Sequence, residues 1–398
     1  MFERIVIRQP KTASFDKPLD LGVLAEALIF YSEVRLVANH VVLEGLLHAA
    51  APEVIIELLE QGFLKLSYET NQLLIMTEND NTPAALHRPT AGHIMNAWEL
   101  PVVLRTVLRK LYGRDGKARR VAKRLEKKIE LVQYSDNFTN EAAEDLSDGR
   151  YVEESVRTLL RAHVPEYQDS VQFRTSRYGD KLKVLTDIDF PRANDFYHQR
   201  IPVTNSSLSP AYLLAHLLNV KADLQFAARY ESEIAIDDIN ALIIRQHLGQ
   251  LFDRLGESRN AVETFQEFVF DDARGIAEAI RRGSCQLADV VAVLPKAAKF
   301  KEWLRSEAPQ RDVVKAYFRE AITPTWIDKL PSKVVRWFVF TGAGLSLDAI
   351  GAGGLGTATG VGLSVVDSFL LDRIIRGWKP SQFVDDHLRK LIEEREAR

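Results

Sequence analysis

Along the first 78 residues the apolar positions change period several times, from the alternation of a strand to the three-and-four spacing of a helix. Strand-like runs occur at IVI near Ile5, EVRLVA, FLKLSY and QLLIMT, and between them lie the helical runs GVLAEALIFY and APEVIIELLEQG. Gly62 is a stop signal after the second helical run, and the pattern beyond it predicts a hairpin from Phe63 to Thr77. The turn-rich stretch ENDNTPAALHRPTAGH, residues 78–93, reads as a loop that closes a small α/β module over 1–95.

Helical spacing then resumes. A helix is expected over 101–112, and Gly113 and Gly116 lead into a strongly basic one whose apolar edge, Val121, Leu125, Ile129 and Val132, predicts a continuous helix. An acidic stretch follows from Glu141 to Glu154, then a helix over 151–163 and two strand-like runs, VQFRT at 171 and KLKVLTDIDF at 181. From about 208 the pattern is helical, with Ser209 and Pro210 forming a capped start, and helices are expected at about 210–231, 237–255, 260–268, 272–282 and 286–306. The chain ends in an apolar Gly-rich stretch, 337–371, and a charged helix, 381–396. The expected fold is α+β: an N-terminal α/β module (1–95), a helical segment with the basic helix and a short strand patch (96–205), a helical domain (206–336), and a C-terminal Gly-rich apolar helix or hairpin with its charged helix (337–398).

Composition narrows the function classes. With 398 residues, 46% of them hydrophobic, the chain can bury a core of two or three domains. Charged residues make up 27% but the net charge is only -3, so any electrostatic partner must be recognised locally. The single cysteine, Cys285, excludes an intramolecular disulfide and a multi-cysteine metal site, and no signal-peptide pattern opens the chain, so a cytoplasmic protein is expected. The histidines form no HExxH pair, His87 and His93 fall in the expected loop, and neither a metal nor a cofactor is expected.

The basic helix is the clearest local signal. Ten Lys or Arg residues lie between Arg109 and Lys128 against Asp115 and Glu126. Of these, Lys117, Arg119, Arg120, Lys123, Arg124, Lys127 and Lys128 form a candidate face for a polyanion or for lipid head groups, and the absence of interleaved aromatic residues makes nucleic acid the less favoured partner.

The Gly-rich stretch resembles a membrane segment, with an uncharged window of 18 residues from Ala349 to Val366. Its six strongly apolar residues contribute only roughly −2 to −4 kcal/mol, which one central Asp, at about +2.5 to +3.5 kcal/mol, would nearly cancel. The spacing of Ala352, Gly356, Gly360 and Ser364 is more informative, since it places small residues in one stripe that lets another backbone approach.

Several catalytic motifs fail on inspection. VFTGAGLS, 339–346, is similar to the GAG-x-S element of sirtuin-type NAD enzymes, but only 52 residues follow it and the family's Asp-Phe-Arg continuation is replaced by LDAIGAGG. KLKVLTDIDFP sets Asp187 and Asp189 two apart at a strand end, as in phosphoryl-transfer enzymes of the haloacid-dehalogenase type, yet Pro191 stands where that motif has Thr or Val. Asp271 and Asp272 suit a helix cap as well as a second acidic pair. No catalytic residue is assigned.

The sequence therefore points to a non-enzymatic recognition or assembly protein, its partner another protein or a second copy of itself, with the small-residue stripe mediating packing or self-association. The alternative class is a membrane-active effector whose apolar segment is sheltered until a trigger releases it onto an anionic membrane, a role suited to bacterial phage defence. A metal-dependent phosphoryl-transfer enzyme using Asp187 and Asp189 ranks third.

Overall fold

The computed structural model describes residues 3–8, 19–78, 85–202 and 207–255, most of 280–295, and the short pieces 267–268 and 335–338. The fold is mixed α+β. Its first half runs β1 (Arg4–Arg8), α1 (Leu21–Phe30), β2 (Glu33–Ala38), α2 (His40–Ala49), α3 (Pro52–Glu60), β3 (Leu64–Glu69), β4 (Asn71–Glu78), β5 (Leu86–His93), α4 (Leu100–Tyr112), α5 (Asp115–Glu126) and β6 (Ile129–Val132). There follow α6 (Phe138–Asp145), α7 (Gly149–His163), β7 (Phe173–Tyr178), β8 (Lys181–Thr186), α8 (Phe190–Tyr197), α9 (Pro210–Arg229), β9 (Glu233–Asp237), α10 (Asp238–Leu255), β10 (Glu267–Phe268) and β11 (Val335–Phe338).

A seven-stranded sheet has the order β10-β11-β9-β1-β2-β3-β6, and its strands draw on all four segments into which the sequence divides, β11 straddling the last boundary. From β9 to β6 the strands are parallel, while β11 and β10 add antiparallel at one edge. Parallel strands need cover on both faces, and two cores supply it. Ile5, Ile7, Val34, Leu36, Leu64 and Leu66 project to the side covered by α1–α5. Val6, Val37 and Val132 project to the other side, under α6 and α9. Local sequence explains the helix starts: Asp20 accepts from the backbone N–H groups of Gly22 and Val23, Asn39 accepts from that of Val42, and Pro52 opens α3. Helix α1 is buried from Gly22 to Phe30, as a helix apolar on all sides must be.

A second, four-stranded antiparallel sheet has the order β4-β5-β8-β7. Its inner face, with Leu182, Val184 and Phe173, joins a third core built on α7, α8, α9 and α10.

Four expectations are corrected. The hairpin over Phe63–Thr77 does not form: β3 is buried along almost its whole length and takes an interior place between β2 and β6, while β4, exposed at alternate positions, pairs with β5 in the other sheet. The expected loop over 78–93 contains β5; Pro89 is tolerated there because the ladder to β8 ends at His87, leaving no second partner for a missing N–H. The basic helix stops at Glu126, and Ile129–Val132 forms β6, where parallel pairing with β3 overrides the helical spacing of its apolar residues. Glu267 and Phe268, expected at the end of a helix, pair with β11.

Candidate functional site

Two charged regions stand out, one buried and one exposed. The buried region follows from the topology. The crossovers β1 to β2, β2 to β3 and β3 to β6 place their helices on one face, and the chain then returns over the opposite face to lay β9 beside β1. The strand order thus reverses between β1 and β9, the kind of switch point whose carboxyl end binds ligands in open α/β sheets.

Arg8 ends β1 at that place, with its side chain 3% exposed. Its Nε donates to Glu69 at 2.8 Å, Nη1 to Asp223 at 2.9 Å and to Asn219 at 3.3 Å, and Nη2 to the Tyr134 hydroxyl at 2.8 Å and to Asn219 at 3.2 Å. All five N–H groups of the guanidinium are therefore engaged. The Tyr134 hydroxyl donates in turn to Glu69. Burial alone would lower the Arg8 pKa, but Glu69, Tyr134 and Asp223 outweigh it and raise the value well above the usual one. Burial raises that of Tyr134. The cluster ties the ends of β1 and β3 to α9 and to the segment after β6. Its donors point at protein groups, which marks a structural clamp.

The exposed region is the hairpin of α4 and α5. Gly113 turns it with a φ of +60°, its N–H donating to the Arg109 carbonyl. Ala118, Ala122 and Leu125 anchor α5 in the core. On one flank Lys117 pairs with Glu53 at 2.9 Å and Arg124 with Glu60 at 2.6 Å. Both partners on each helix are seven residues apart, so two turns of α5 lie parallel to two turns of α3. The Lys117 ammonium also sits 4.0 Å from the Tyr112 ring centroid, and the Tyr112 hydroxyl donates to Glu53 at 2.9 Å. The Lys117 hydrogen bond holds the Glu53 carboxyl below its ordinary pKa, and that of Arg124 does the same for Glu60. Burial, with Glu53 beside it, pushes the Tyr112 hydroxyl up to about 12.

The seven cations singled out in the sequence thus divide. Lys117 and Arg124 are held by α3, and Lys128 stands near Glu60. Arg119, Arg120, Lys123 and Lys127 are exposed, and among the described residues no carboxylate forms an ion pair with them. Arg114, counted in the basic run but not among those seven, is exposed between the two helices, and Arg105 on α4, which sequence reasoning left out, is exposed as well. Arg8 was also missed. A charged residue closing the apolar strand IVI, and a Glu closing LKLSY, are the pattern that would have revealed the clamp.

The remaining candidates take structural roles. Asp187 accepts from Ser170 Oγ at 2.9 Å and from the Gln172 backbone N–H at 2.7 Å, and the latter bond in particular lowers its pKa. Asp189 caps α8 by accepting from the Arg192 backbone N–H at 3.1 Å. Each carboxylate fastens its own loop, and among the described residues no three His, Cys, Asp or Glu gather as a metal site would require. His87 is buried against Thr77, His93 is exposed, and Cys285 is buried in the α1–α5 core. Ala352, Gly356, Gly360 and Ser364, the sirtuin-like 339–346 and the pair Asp271 and Asp272 lie outside the described residues.

Comparison with protein-family models, with curated proteins and with solved structures finds no match to this chain.

Proposed function

We propose that the chain is a non-enzymatic recognition and assembly protein that grips a phosphate-bearing surface through α5. The observation behind this reading is the exposed group Arg119, Arg120, Lys123 and Lys127, which among the described residues has no carboxylate partner, on a helix that is otherwise anchored in the core and clamped to α3. An Arg or Lys that merely solubilises a helix gains little from such a rigid mount, whereas a pre-organised cationic face loses less entropy on binding. The outward positions of α5 carry no aromatic side chain to stack on a base and no amide or hydroxyl to read one. Contacts would therefore go to phosphate, which favours an anionic bilayer surface, where each nearby Lys or Arg contributes about 1 kcal/mol. No described helix is long and apolar enough to cross a membrane, so the contribution of α5 is peripheral attachment. In the same proposal the stripe Ala352, Gly356, Gly360 and Ser364 mediates contact within the chain or between copies, on the strength of its four-residue spacing.

The test is cosedimentation with phosphatidylserine vesicles. Because Arg124 is held by Glu60, the informative variant replaces Arg119, Arg120, Lys123 and Lys127 with Glu. Vesicle affinity is expected to fall about a hundredfold or more, with the melting temperature unchanged, and wild-type affinity is expected to weaken as salt rises. Salt-independent binding, or binding retained by the variant, would refute the proposal. Equal competition by duplex DNA would replace the bilayer with a phosphodiester polymer.

A further inference from the structure

The outer face of the four-stranded sheet carries a surface of a different kind. Pairing assigns to one side Gln72, Leu74, Met76 and Glu78 of β4, Leu86, Arg88, Thr90 and Gly92 of β5, Lys181, Lys183 and Leu185 of β8, and Arg174, Ser176 and Tyr178 of β7. Glu78, Leu86, Lys183 and Ser176 form one row across all four strands. Of the nine large apolar side chains exposed among the described residues, four lie here: Leu74 at 41%, Met76 at 43%, Leu185 at 56% and Tyr178 at 66%. The register sets Leu74 and Met76 on β4 and Leu185 and Tyr178 on β8 and β7, with Arg88, Lys181 and Lys183 between them, so apolar positions flank a basic centre. Tyr, Met and Arg are also the types enriched where proteins meet.

Charge selects the occupant. The face holds four cations, Arg88, Arg174, Lys181 and Lys183, against the single carboxylate Glu78. Glu78 is shared by Arg88 and Lys181, and Asp180 in the adjoining turn takes Arg88 at 3.2 Å. Arg174, which pairs across the ladder with the exposed Leu185, and Lys183 have no carboxylate partner among the described residues. A second copy of this face would bring like charges together. A nucleic-acid strand would find one exposed aromatic at the end of an edge strand, in place of the stacking platform that bases need. We propose that this face docks an acidic protein segment whose apolar side chains lie on Leu74, Met76, Leu185 and Tyr178 while its carboxylates meet Arg174 and Lys183. The proposal is independent of the α5 surface.

The probe is a fluorescein-labelled amphipathic peptide of Leu and Glu, with its Leu and Lys counterpart and an oligo-dT strand as comparisons, read by anisotropy with the full chain. The acidic peptide is expected to bind and the basic one not. The double variants Arg174→Glu with Lys183→Glu, and Leu74→Ser with Leu185→Ser, should each weaken binding by about tenfold or more, because an interface of this kind depends on both its charges and its apolar anchors. All four positions are solvent-facing or half-buried, and a thermal melt establishes that each variant is folded. The Glu variant of α5 should bind the peptide as the parent does, which separates failure here from failure of the bilayer reading. No binding of the acidic peptide, equal binding of the basic one, oligo-dT binding that these substitutions abolish, or self-association sensitive to them would each overturn the proposal.

Discussion

Arg8 and Arg120 carry the same guanidinium, yet the fold treats them in opposite ways. Around Arg8 every donor has an acceptor, drawn from β3, from α9 and from the segment after β6. Around Arg120 no acceptor is arranged among the described residues, although carboxylates are close enough on α3 to hold Lys117 and Arg124 one flank away. A buried charge survives only when its partners are built with it, whereas an exposed one is left open at little cost. The contrast teaches where to look for function in this chain: the satisfied cluster holds the carboxyl edge of the sheet together, and the open group remains available to something outside.

The largest expected effect is at Arg8. Arg8→Met removes the cation that Glu69 and Asp223 share inside the fold, and breaking one side of a buried ionic cluster costs about 3–5 kcal/mol. A domain has about 5–15 kcal/mol to lose, so the urea midpoint should fall sharply. A loss below about 1 kcal/mol would break the comparison by showing that the cluster is not a clamp. By contrast, the fourfold Glu variant of α5 should leave the melting temperature unchanged, in keeping with changes at exposed positions, while vesicle affinity falls about a hundredfold or more.

A smaller effect sharpens the contrast through pH. Burial lowers the pKa of His87, which pairs across the β4–β5 ladder with Thr77, its Nδ1 3.1 Å from Thr77 Oγ1. Its folded pKa lies below the unfolded value of about 6.5, so the unfolded chain takes up the proton first and stability is lost as pH falls below that value. The slope contributed by one such group cannot exceed about 1.4 kcal/mol per pH unit. His87→Phe should flatten the decline, leaving the part due to His40, whose pKa burial also lowers. An unchanged slope would mean that His87 is not buried in solution.

The N-terminal α/β character, the helices over 100–112, 149–163 and 210–229, and the strands β7 and β8 were legible because their apolar period matches their final partners. What escaped is long-range. Nothing local in FLKLSY and QLLIMT says that adjacent strands enter different sheets; that is decided by β6 and β8, which arrive much later in the chain. Ile129 and Val132, three apart, satisfy a helix and the two buried ends of a four-residue strand equally well. EIAID, a five-residue piece between two helices, is too short to show its period and takes its place only beside β1. The basic face was legible as a charge run, but the division of its cations between α3 and solvent needed the position of Glu53 and Glu60.

The smallest effect on binding concerns the turn that presents α5. Gly113 has a φ of +60°, and a Cβ built there meets no atom within 4 Å, so substitution strains the backbone without a clash. Gly113→Ala should therefore cost about 1–2 kcal/mol, the penalty of a left-handed conformation for an L side chain, and Gly113→Asn less, since Asn adopts that region more readily. Neither change should alter vesicle affinity, because Ala118, Ala122 and Leu125 set α5 on the core and the pairs with Glu53 and Glu60 set its rotation. If Gly113→Ala weakened vesicle binding while the melting temperature fell only slightly, the orientation of the α4–α5 hairpin, rather than the cations alone, would be what the partner recognises.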